Sequence, residues 1–353
     1  MNNEETLNFL RQAALTHASD IFVVAGLPLS IKIDGKINNI ADRLMPAHTE
    51  EFIRNIYSMA DRDINRLIST GDDDFSFSIP GISRFRVNSY KQRGSLAAVI
   101  RVISFNLPDP DELSIPTEVM ELADITKGMI LITGPAGSGK STTMACLIDR
   151  INHSREGHII TLEDPLEYLH SHDKCIVSQR EVCTDTKNYL ISLRAALRQS
   201  PDVILLGEMR DHETIQTAMT AAETGHMLLS SLHTLGAANS INRIIDVFEP
   251  SQQHQIIMQL SMVLQAVVSQ QLIPDVDGKI IPVFEIMHLN TAIRNMIREN
   301  KLHQIDGVIS SSTQGQMRSM DQSLIELYKK GRITKDTAIK YSLNPESIKR
   351  RLS

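Results

Sequence analysis

The stretch that most constrains this chain is Met129–Thr142, MILITGPAGSGKST, where Gly134-x-x-x-x-Gly139-Lys140-Ser141 follows directly on the apolar run Met129–Ile132. A helical sequence, Thr142–Ile151, comes next. A strand that delivers a glycine-rich loop to a helix N-terminus lets backbone N–H groups curl around phosphate oxygens, and the helix dipole favours negative charge there. Gly134, Pro135, Ala136, Gly137, Ser138, Gly139, Lys140, Ser141 and Thr142 therefore read as a phosphate cradle. Lys140 is expected to reach the β- and γ-phosphates, and the Ser141 hydroxyl to hold Mg²⁺. The pattern predicts a nucleoside-triphosphate site.

Length and composition narrow the rest. At 353 residues the chain suggests two domains, taking about 150 residues for each. Aromatics make up 4% with no Trp, which argues against single-strand nucleic-acid binding on stacking platforms. A net charge of −6 supplies no basic field for nucleic acid or anionic lipid, so no nucleic-acid partner is expected. Cys146, Cys175 and Cys183 form no C-x-x-C pair, which fits a reducing cytosol and partly buried small apolar side chains. The N-terminus is polar and acidic, without a basic n-region or an apolar h-region. The longest near-apolar segment, Leu260–Ile273, is interrupted by Gln265, Ser269, Gln270 and Gln271 and is too short to span a bilayer. The expected place is the cytoplasm, with any membrane association made through partners and none by direct insertion.

Along the chain, Leu7, Leu10, Ala14 and His17 recur at helical spacing over residues 4–17. Strand-like runs follow at Ile21–Val24 and Leu29–Ile33, with Asp34-Gly35 as a hairpin turn into Lys36–Ile40. Thr49 reads as the N-cap of a helix over Glu50–Ile68, with Phe52, Ile53, Ile56 and Met59 on one face. An acidic turn, Gly71–Asp74, leads into strands Phe75–Ile79, Phe85–Tyr90 and Leu96–Ile103. A helix-plus-antiparallel-sheet domain is thus predicted for residues 1–105, and the three prolines of Asn106–Pro116 mark a linker. Residues 117–353 alternate apolar strands with helical stretches, the signature of an α/β layer with a mostly parallel sheet. The strands read there are Met129–Thr133, His158–Leu162, Val203–Leu206 and Met227–Leu232.

Each of those strands ends in chemistry, as ligand sites at the carboxyl ends of parallel strands require. The first ends in the phosphate loop. After the second, Glu163, Asp164 and Glu167 could orient a water or reach Mg²⁺ through water, or form a solvated acidic loop. The third ends in Gly207-Glu208, with Gly207 where an Asp often stands, so Glu208 becomes the working carboxylate: base, Mg²⁺ partner, or ion-pair partner of Arg210. The fourth lies between His226 and His233, which point to opposite faces of the strand and therefore do separate jobs; His233 could sense the γ-phosphate and His226 order local structure. His170-x-His172 lacks a third ligand and reads as a solvated loop rather than a metal site. Arginines that neutralise phosphoryl charge are sought among Arg84, Arg86, Arg93 and Arg101, which requires another subunit's nucleotide, with Arg194 and Arg198 as a second tier.

With these residues in place, nearly the whole chain resembles the PilT-type retraction motors of type IV pili, within the secretion ATPase superfamily. The resemblance rests on Gly134–Thr142, the acidic box Thr161–His170, the second nucleotide motif Gly207–Thr214, the histidine box Thr224–Thr234, and Ala292–Glu299, which is similar to the retraction segment AIRNLIRE. It departs at Ala18–Val23, where a family His is lost, and at Ala136, where Thr is usual. It implies a PAS-like α+β N-terminal domain, a RecA-like ATPase domain with a helical C-terminal region, and a homohexamer. It further implies ATP hydrolysis between subunits with Mg²⁺, and an inner-membrane pilus platform protein as partner. Implied site residues are the acids Glu163 and Glu208, the histidines His226 and His233, and Arg86 and Arg101 given in trans. Assembly and type II secretion ATPases are the rival reading, disfavoured because this chain has no paired C-x-x-C module; an accessory retraction paralogue is the other. Read without that resemblance, residues 292–299 form an amphipathic helix with Ile293, Met296 and Ile297 inward and Arg294 and Arg298 on the other face.

Overall fold

A computed structural model describes residues 2–33, 35–103, 107–312 and 317–352. Asp34 of the expected hairpin turn, Asn106 of the expected linker and Ser353 of the tail lie outside them. The chain divides into two compact units, 1–106 with 167–169, and 107–166 with 170–353.

The first unit is a six-stranded antiparallel sheet in the order β3-β2-β1-β6-β5-β4. Its strands are β1 (Asp20–Val23), β2 (Pro28–Ile33), β3 (Lys36–Arg43), β4 (Asp72–Ile79), β5 (Ser83–Gln92) and β6 (Ser95–Ile103). Alternate residues of β4 and β5 turn inward: Phe75, Phe77, Phe85 and Val87 are buried with Phe52, Ile53 and Ile56 of the helix Pro46–Met59. The opening helix, Asn3–Leu15, buries Thr6, Leu10 and Ala13, and it stops before His17, which is exposed with a left-handed φ of 55°.

Two expectations change here. The helix predicted over Glu50–Ile68 starts earlier, because Pro46 occupies its first turn, where a missing N–H costs nothing, and Thr49 is a buried interior residue. It also breaks after Met59; Asp61 adopts a φ of 48°, and a second short helix, Asn65–Thr70, ends on left-handed Gly71. The acidic turn is likewise mostly strand. Asp72–Asp74 open β4, and Asp73 points inward, where Arg62 donates to both its oxygens at 2.8 Å and the Tyr57 hydroxyl donates at 2.9 Å.

The second unit holds a seven-stranded sheet in the order β13-β12-β7-β11-β10-β8-β9. The strands are β7 (Gly128–Thr133), β8 (Gly157–Glu163), β9 (Cys175–Glu181), β10 (Val203–Leu206), β11 (Met227–Leu232), β12 (Leu264–Pro274) and β13 (Ile280–His288). All neighbours run parallel except β12 and β13. One face packs on Ile204, Leu206, Leu228 and the helix Ala237–Asp246, the other on Ile130, Ile132, Leu205 and the helix Lys140–Ser154. Burial on both faces is why β7 and β10 read as largely apolar runs.

Four of the seven strands match the runs read in the sequence, while β9, β12 and β13 were not among them. Of the expected linker, Leu107–Pro116 belongs to the second unit, and Ile115 is buried in its core. Among the cysteines, Cys146 and Cys175 are buried, but Cys183 is exposed. No helix among the described residues is long and apolar enough to cross a membrane.

Candidate active site

The carboxyl ends of β7, β11, β10 and β8 come to one edge because the strands are adjacent and in register: Thr133 pairs with Leu232, Leu206 with Ser230, and Leu162 with Leu206. The Gly134 N–H donates to Leu232 O at 3.2 Å as the chain leaves β7 for the phosphate loop. Gly134 has a φ of 147°, and a Cβ there would lie 2.2 Å from the Gln270 carbonyl oxygen, so only glycine fits. Gly139 is left-handed at φ 84° and opens directly into the helix Lys140–Ser154. The Lys140 ammonium donates to Gly134 O and Pro135 O, each at 2.9 Å, and so spans the inside of the loop. Ser138 Oγ is buried with no hydrogen-bond partner, an orphaned polar atom of the kind a phosphate oxygen satisfies. The donor set and the glycine cradle fit a polyphosphate. A cavity of about 240 Å³ flanks the loop, bounded by Gly139, Thr142, Thr143, Gln270, Leu272 and Ile281.

Gln270 is a site residue that the sequence reading passed over as an interruption. Its Oε1 accepts from Thr143 Oγ1 at 2.8 Å, and its backbone presses on Gly134, so β12 braces the loop from the side. The signal was weak: three polar residues inside an apolar run, each satisfied by a group far away in sequence.

Glu163 closes β8, and Glu208 stands just beyond β10. Glu208 is held from two sides, by Arg210 Nη2 at 2.7 Å and His233 Nε2 at 3.4 Å. The ion pair with Arg210, one of the open readings for Glu208, is therefore formed, and His233 joins it. The Glu208 side chain is 13% exposed, while those of Arg210 and His233 are 76% and 54% exposed, so both side chains approach from the solvent side. His226 lies at the opposite, amino end of β11. Its ring engages Ala221 O at 2.9 Å and Thr224 Oγ1 at 3.1 Å, and its carbonyl accepts from the Gly128 N–H. It orders the start of the strand and is remote from Glu208.

Gly207 explains the departure noted at the third strand end. Its N–H donates to Leu162 O at 2.8 Å, its carbonyl accepts from Ser231 Oγ at 2.6 Å, and a Cβ would lie 2.9 Å from the Tyr189 hydroxyl. An aspartate has no room there. Tyr189 opens the helix Tyr189–Ala196 and packs on the core; sequence reasoning missed it, because a lone Tyr carries no motif. Burial pushes its phenol well above the usual range, and the charges of Glu208, Asp164 and Glu163 push it further.

The remaining candidates sit elsewhere. Arg86 and Arg101 are directly opposed across β5 and β6, and each carries its own acid: Arg86 Nη2 donates to Asp74 at 2.9 Å, and Arg101 Nε to Asp20 at 3.2 Å. Arg194 pairs with Glu213 at 3.6 Å, and Arg198 donates to the Arg194 carbonyl. The solvated-loop reading fails for His170. That ring is mostly out of water, its Nδ1 has no partner, and burial lowers its pKa to about 4. His172 is exposed, and its Nδ1 accepts from the Val177 N–H at 3.0 Å. Among the described residues no group of three or more His, Cys, Asp or Glu could hold a metal ion. The two arginines of the helix Thr291–Arg298 are not simply solvated: Arg294 donates to Ser261 O, Met262 O and Gln265 Oε1, and Arg298 donates to Ser261 Oγ.

A phosphate loop at the end of a buried parallel strand, an acid beyond a neighbouring strand and a histidine beyond the next define an α/β nucleotide-site class, and the comparisons specify it. Residues 4–315 match the family described as Type II/IV secretion system protein, and the chain belongs to that family. It is 41% identical over 335 residues to the type IV pilus retraction ATPase PilT of Pseudomonas aeruginosa, covering 94% of this chain and 96% of that protein. It is 38% identical to the type IV pilus ATPase PilU of the same organism over 92% of this chain and 85% of that protein. Among solved structures, the pilus retraction motor PilT with bound ADP superposes with a TM-score of 0.86 at 45% identity, covering 98% of both chains.

Proposed function

We propose that this chain is a motor ATPase that hydrolyses ATP to drive retraction of type IV pili. The observation that carries the reading is the phosphate loop with Lys140 spanning it, set beside the Glu208–His233 pair at the carboxyl edge of the sheet. ATP is the substrate. Its phosphates lie in the cradle of Gly134–Thr142, with Lys140 moving from its loop carbonyls to the β- and γ-oxygens and Ser138 Oγ gaining a partner. The cavity beside Gly139 and Thr143 takes the nucleoside. Ser141 and Glu208 would hold Mg²⁺, which would supply charge neutralisation at the phosphates. Glu208 or Glu163 orients the attacking water, and His233 holds the Glu208 carboxylate in place.

The working unit in this reading is a homohexamer, with residues 1–105 as a PAS-like domain and 117–353, joined by the packed segment 107–116, as the RecA-like ATPase domain. Arg86 and Arg101 reach a neighbouring subunit's phosphates, where an arginine given in trans contributes about 10³–10⁵ in rate. The hexamer works in the cytoplasm against an inner-membrane platform protein, and the helix Thr291–Arg298 couples turnover to retraction. The alternative reading is an accessory retraction paralogue; the chain is also 38% identical to the type IV pilus ATPase PilU.

The test is deletion of the gene in its host, followed by counting surface pili and tracking single fibres. Abundant pili that do not retract are expected, with recovery by the wild-type chain and none by Glu208→Gln. Bald cells would indicate assembly instead; pili that still retract with normal force would favour the accessory role.

A further inference from the structure

Beyond β11 the chain crosses a short span before its next helix, and both ends of that span are fixed. Leu232 closes β11 in register with Thr133 of β7, and its carbonyl accepts from the Gly134 N–H. The helix Ala237–Asp246 starts on the sheet: the Gly236 N–H donates to Ser269 Oγ at 2.9 Å, and the Ala237 N–H to Glu285 Oε1 at 2.8 Å. Ser269 and Glu285 are cross-strand partners on β12 and β13, and Ser269 pairs in turn with Thr133. One row across the sheet therefore anchors the strand that delivers the phosphate loop and the start of this helix. His233, which contacts Glu208, has only Thr234 and Leu235 between it and Gly236.

Glu285 has a second attachment. Its other oxygen accepts from the Met320 N–H at 3.3 Å, in the first turn of the helix Met320–Lys329. That helix is tied to β13 again by Ser323 Oγ, which donates to Phe284 O at 2.6 Å. Leu235 packs on the same cluster as Met320, Leu324 and Ile281, so the short span meets the C-terminal helices by side chain as well. Glu285 is 2% exposed, and the charged groups that face it, Asp306 and Asp321, are acids. The positive ends of two helix dipoles stand in for the absent cation.

We propose that Glu285 is a positioning residue that holds His233 against Glu208 and, through Met320, ties that contact to the C-terminal helices. The role of His233 here rests on the ATPase reading above. Each oxygen of Glu285 has one job. Oε1 fixes the helix start that limits where His233 can lie. Oε2 fixes a second helix, which any movement of the first start must carry with it or release. Glu285 acts through these two helix starts and takes no part in proton transfer.

The test uses the full-length purified chain as wild type, Glu285→Gln and Ser269→Ala. Assays run above the pKa of about 7 to which burial raises Glu285, so that both oxygens accept. Glutamine keeps the shape but turns one acceptor into a donor that meets an N–H. Turnover of Mg-ATP by Glu285→Gln should fall roughly tenfold, the effect of one hydrogen bond to a charged group. KM for ATP and ADP affinity by calorimetry should stay at wild-type values. Hydrogen exchange gives the readout that a packing role would not move, with the helix Pro46–Met59 of the first unit as internal reference. In the wild-type chain saturating ADP should slow exchange over residues 236–240 and 319–324 together. The response over 319–324 should be lost in Glu285→Gln and kept in Ser269→Ala, which loosens the first helix start alone.

Turnover of Glu285→Gln within twofold of wild type would overturn the proposal. So would a response over 319–324 that is absent from the wild-type chain, or as large in Glu285→Gln. A fall in turnover matched by weaker ADP binding and a lower Tm would mark Glu285 as a stabilising residue alone. Should Glu285→Gln fail to fold, the exchange pattern of the wild-type chain and the turnover of Ser269→Ala still decide, since unchanged turnover there would show that the helix start does not govern His233. A wild-type chain that binds ADP but hydrolyses no ATP would instead remove the ATPase reading, and that outcome is visible before any residue is changed.

Discussion

The two sheets of this protein place polar chemistry in opposite ways. In the antiparallel sheet it lies on a face: β5 alternates, with Phe85 and Val87 inward and Arg86 and Asn88 on the other face. In the parallel sheet β7, β10 and β11 are buried along their whole length, so chemistry is confined to the strand ends. A side chain on a face can change without disturbing the backbone that carries it. One at a strand end is tied to the loop that the strand delivers. The first arrangement suits a surface that meets partners, and the second a site that must be fixed to within about half an ångström.

The largest expected effect tests the strand-end site. Glu208→Gln should lower ATP turnover by about 10²–10⁴ while leaving ATP binding intact, and Lys140→Ala should abolish both; turnover and nucleotide titration separate the two. Retained binding in Lys140→Ala would break the idea that the loop holds phosphate. Next comes the buried carboxylate of the antiparallel unit. Asp73→Asn should cost about 3–5 kcal/mol in denaturant unfolding, because Arg62, Arg66 and Tyr57 all converge on Asp73 and two cations would lose their partner.

A smaller contrast compares the sheets directly. Leu131→Ala in β7, at 0% exposure, should cost about 2–5 kcal/mol, whereas Ile37→Ala on β3, at 63% exposure, should stay within about 0.5 kcal/mol. Equal losses would mean that β3 is covered in solution.

The smallest effect is in pH, and the two units respond with opposite sign. Burial raises Glu285, in the parallel unit, from 4.5 to about 7, against the N–H donors of Ala237 and Met320 and helped by Asp306 and Asp321. Its folded pKa lies above the unfolded one, so the stability it contributes is full below about 4.5 and is lost as pH rises through about 7. Burial also opposes charge at Asp73, but the bonds from Arg62 and Tyr57, with Arg66 nearby, outweigh it and hold the carboxyl below 3.8. That contribution is present above 3.8 and is lost as pH falls through the lower folded value. Thermal unfolding from pH 4 to 8 should show a falling limb that Glu285→Gln flattens and Asp73→Asn leaves in place.

How much of this was legible depended on whether a residue's partners lie nearby in sequence. The phosphate loop, β7, β10 and β11 announce themselves as largely apolar runs ending in glycine, acid or histidine, because burial on both faces admits few polar residues inside the strand. β12 is mostly buried as well, yet it carries Ser269, Gln270 and Gln271, which are satisfied by the Gly236 N–H, Thr143 Oγ1 and Tyr341 O. Those partners lie 33, 127 and 70 positions away, so the strand reads only as part of an interrupted near-apolar segment. Tyr189 was illegible for the same reason: its meaning comes from Gly207, on another element. The two arginines read as the outer face of residues 292–299 instead bond to the end of the helix Pro250–Val263 and to Gln265 at the start of β12, contacts that no local spacing encodes.

Arg86 and Arg101 face each other across two strands, yet neither is a bare cation, since Asp74 and Asp20 pair with them. An anion arriving at these guanidinium groups does not meet a bare positive field; it must displace a carboxylate. The event is an exchange of one ion pair for another rather than a capture. Exchange releases little counterion and steers little from a distance, so raising the ionic strength should scarcely change how fast an anion engages these arginines. What governs engagement is competition between two acids for one cation, which makes the pairing readily reversible.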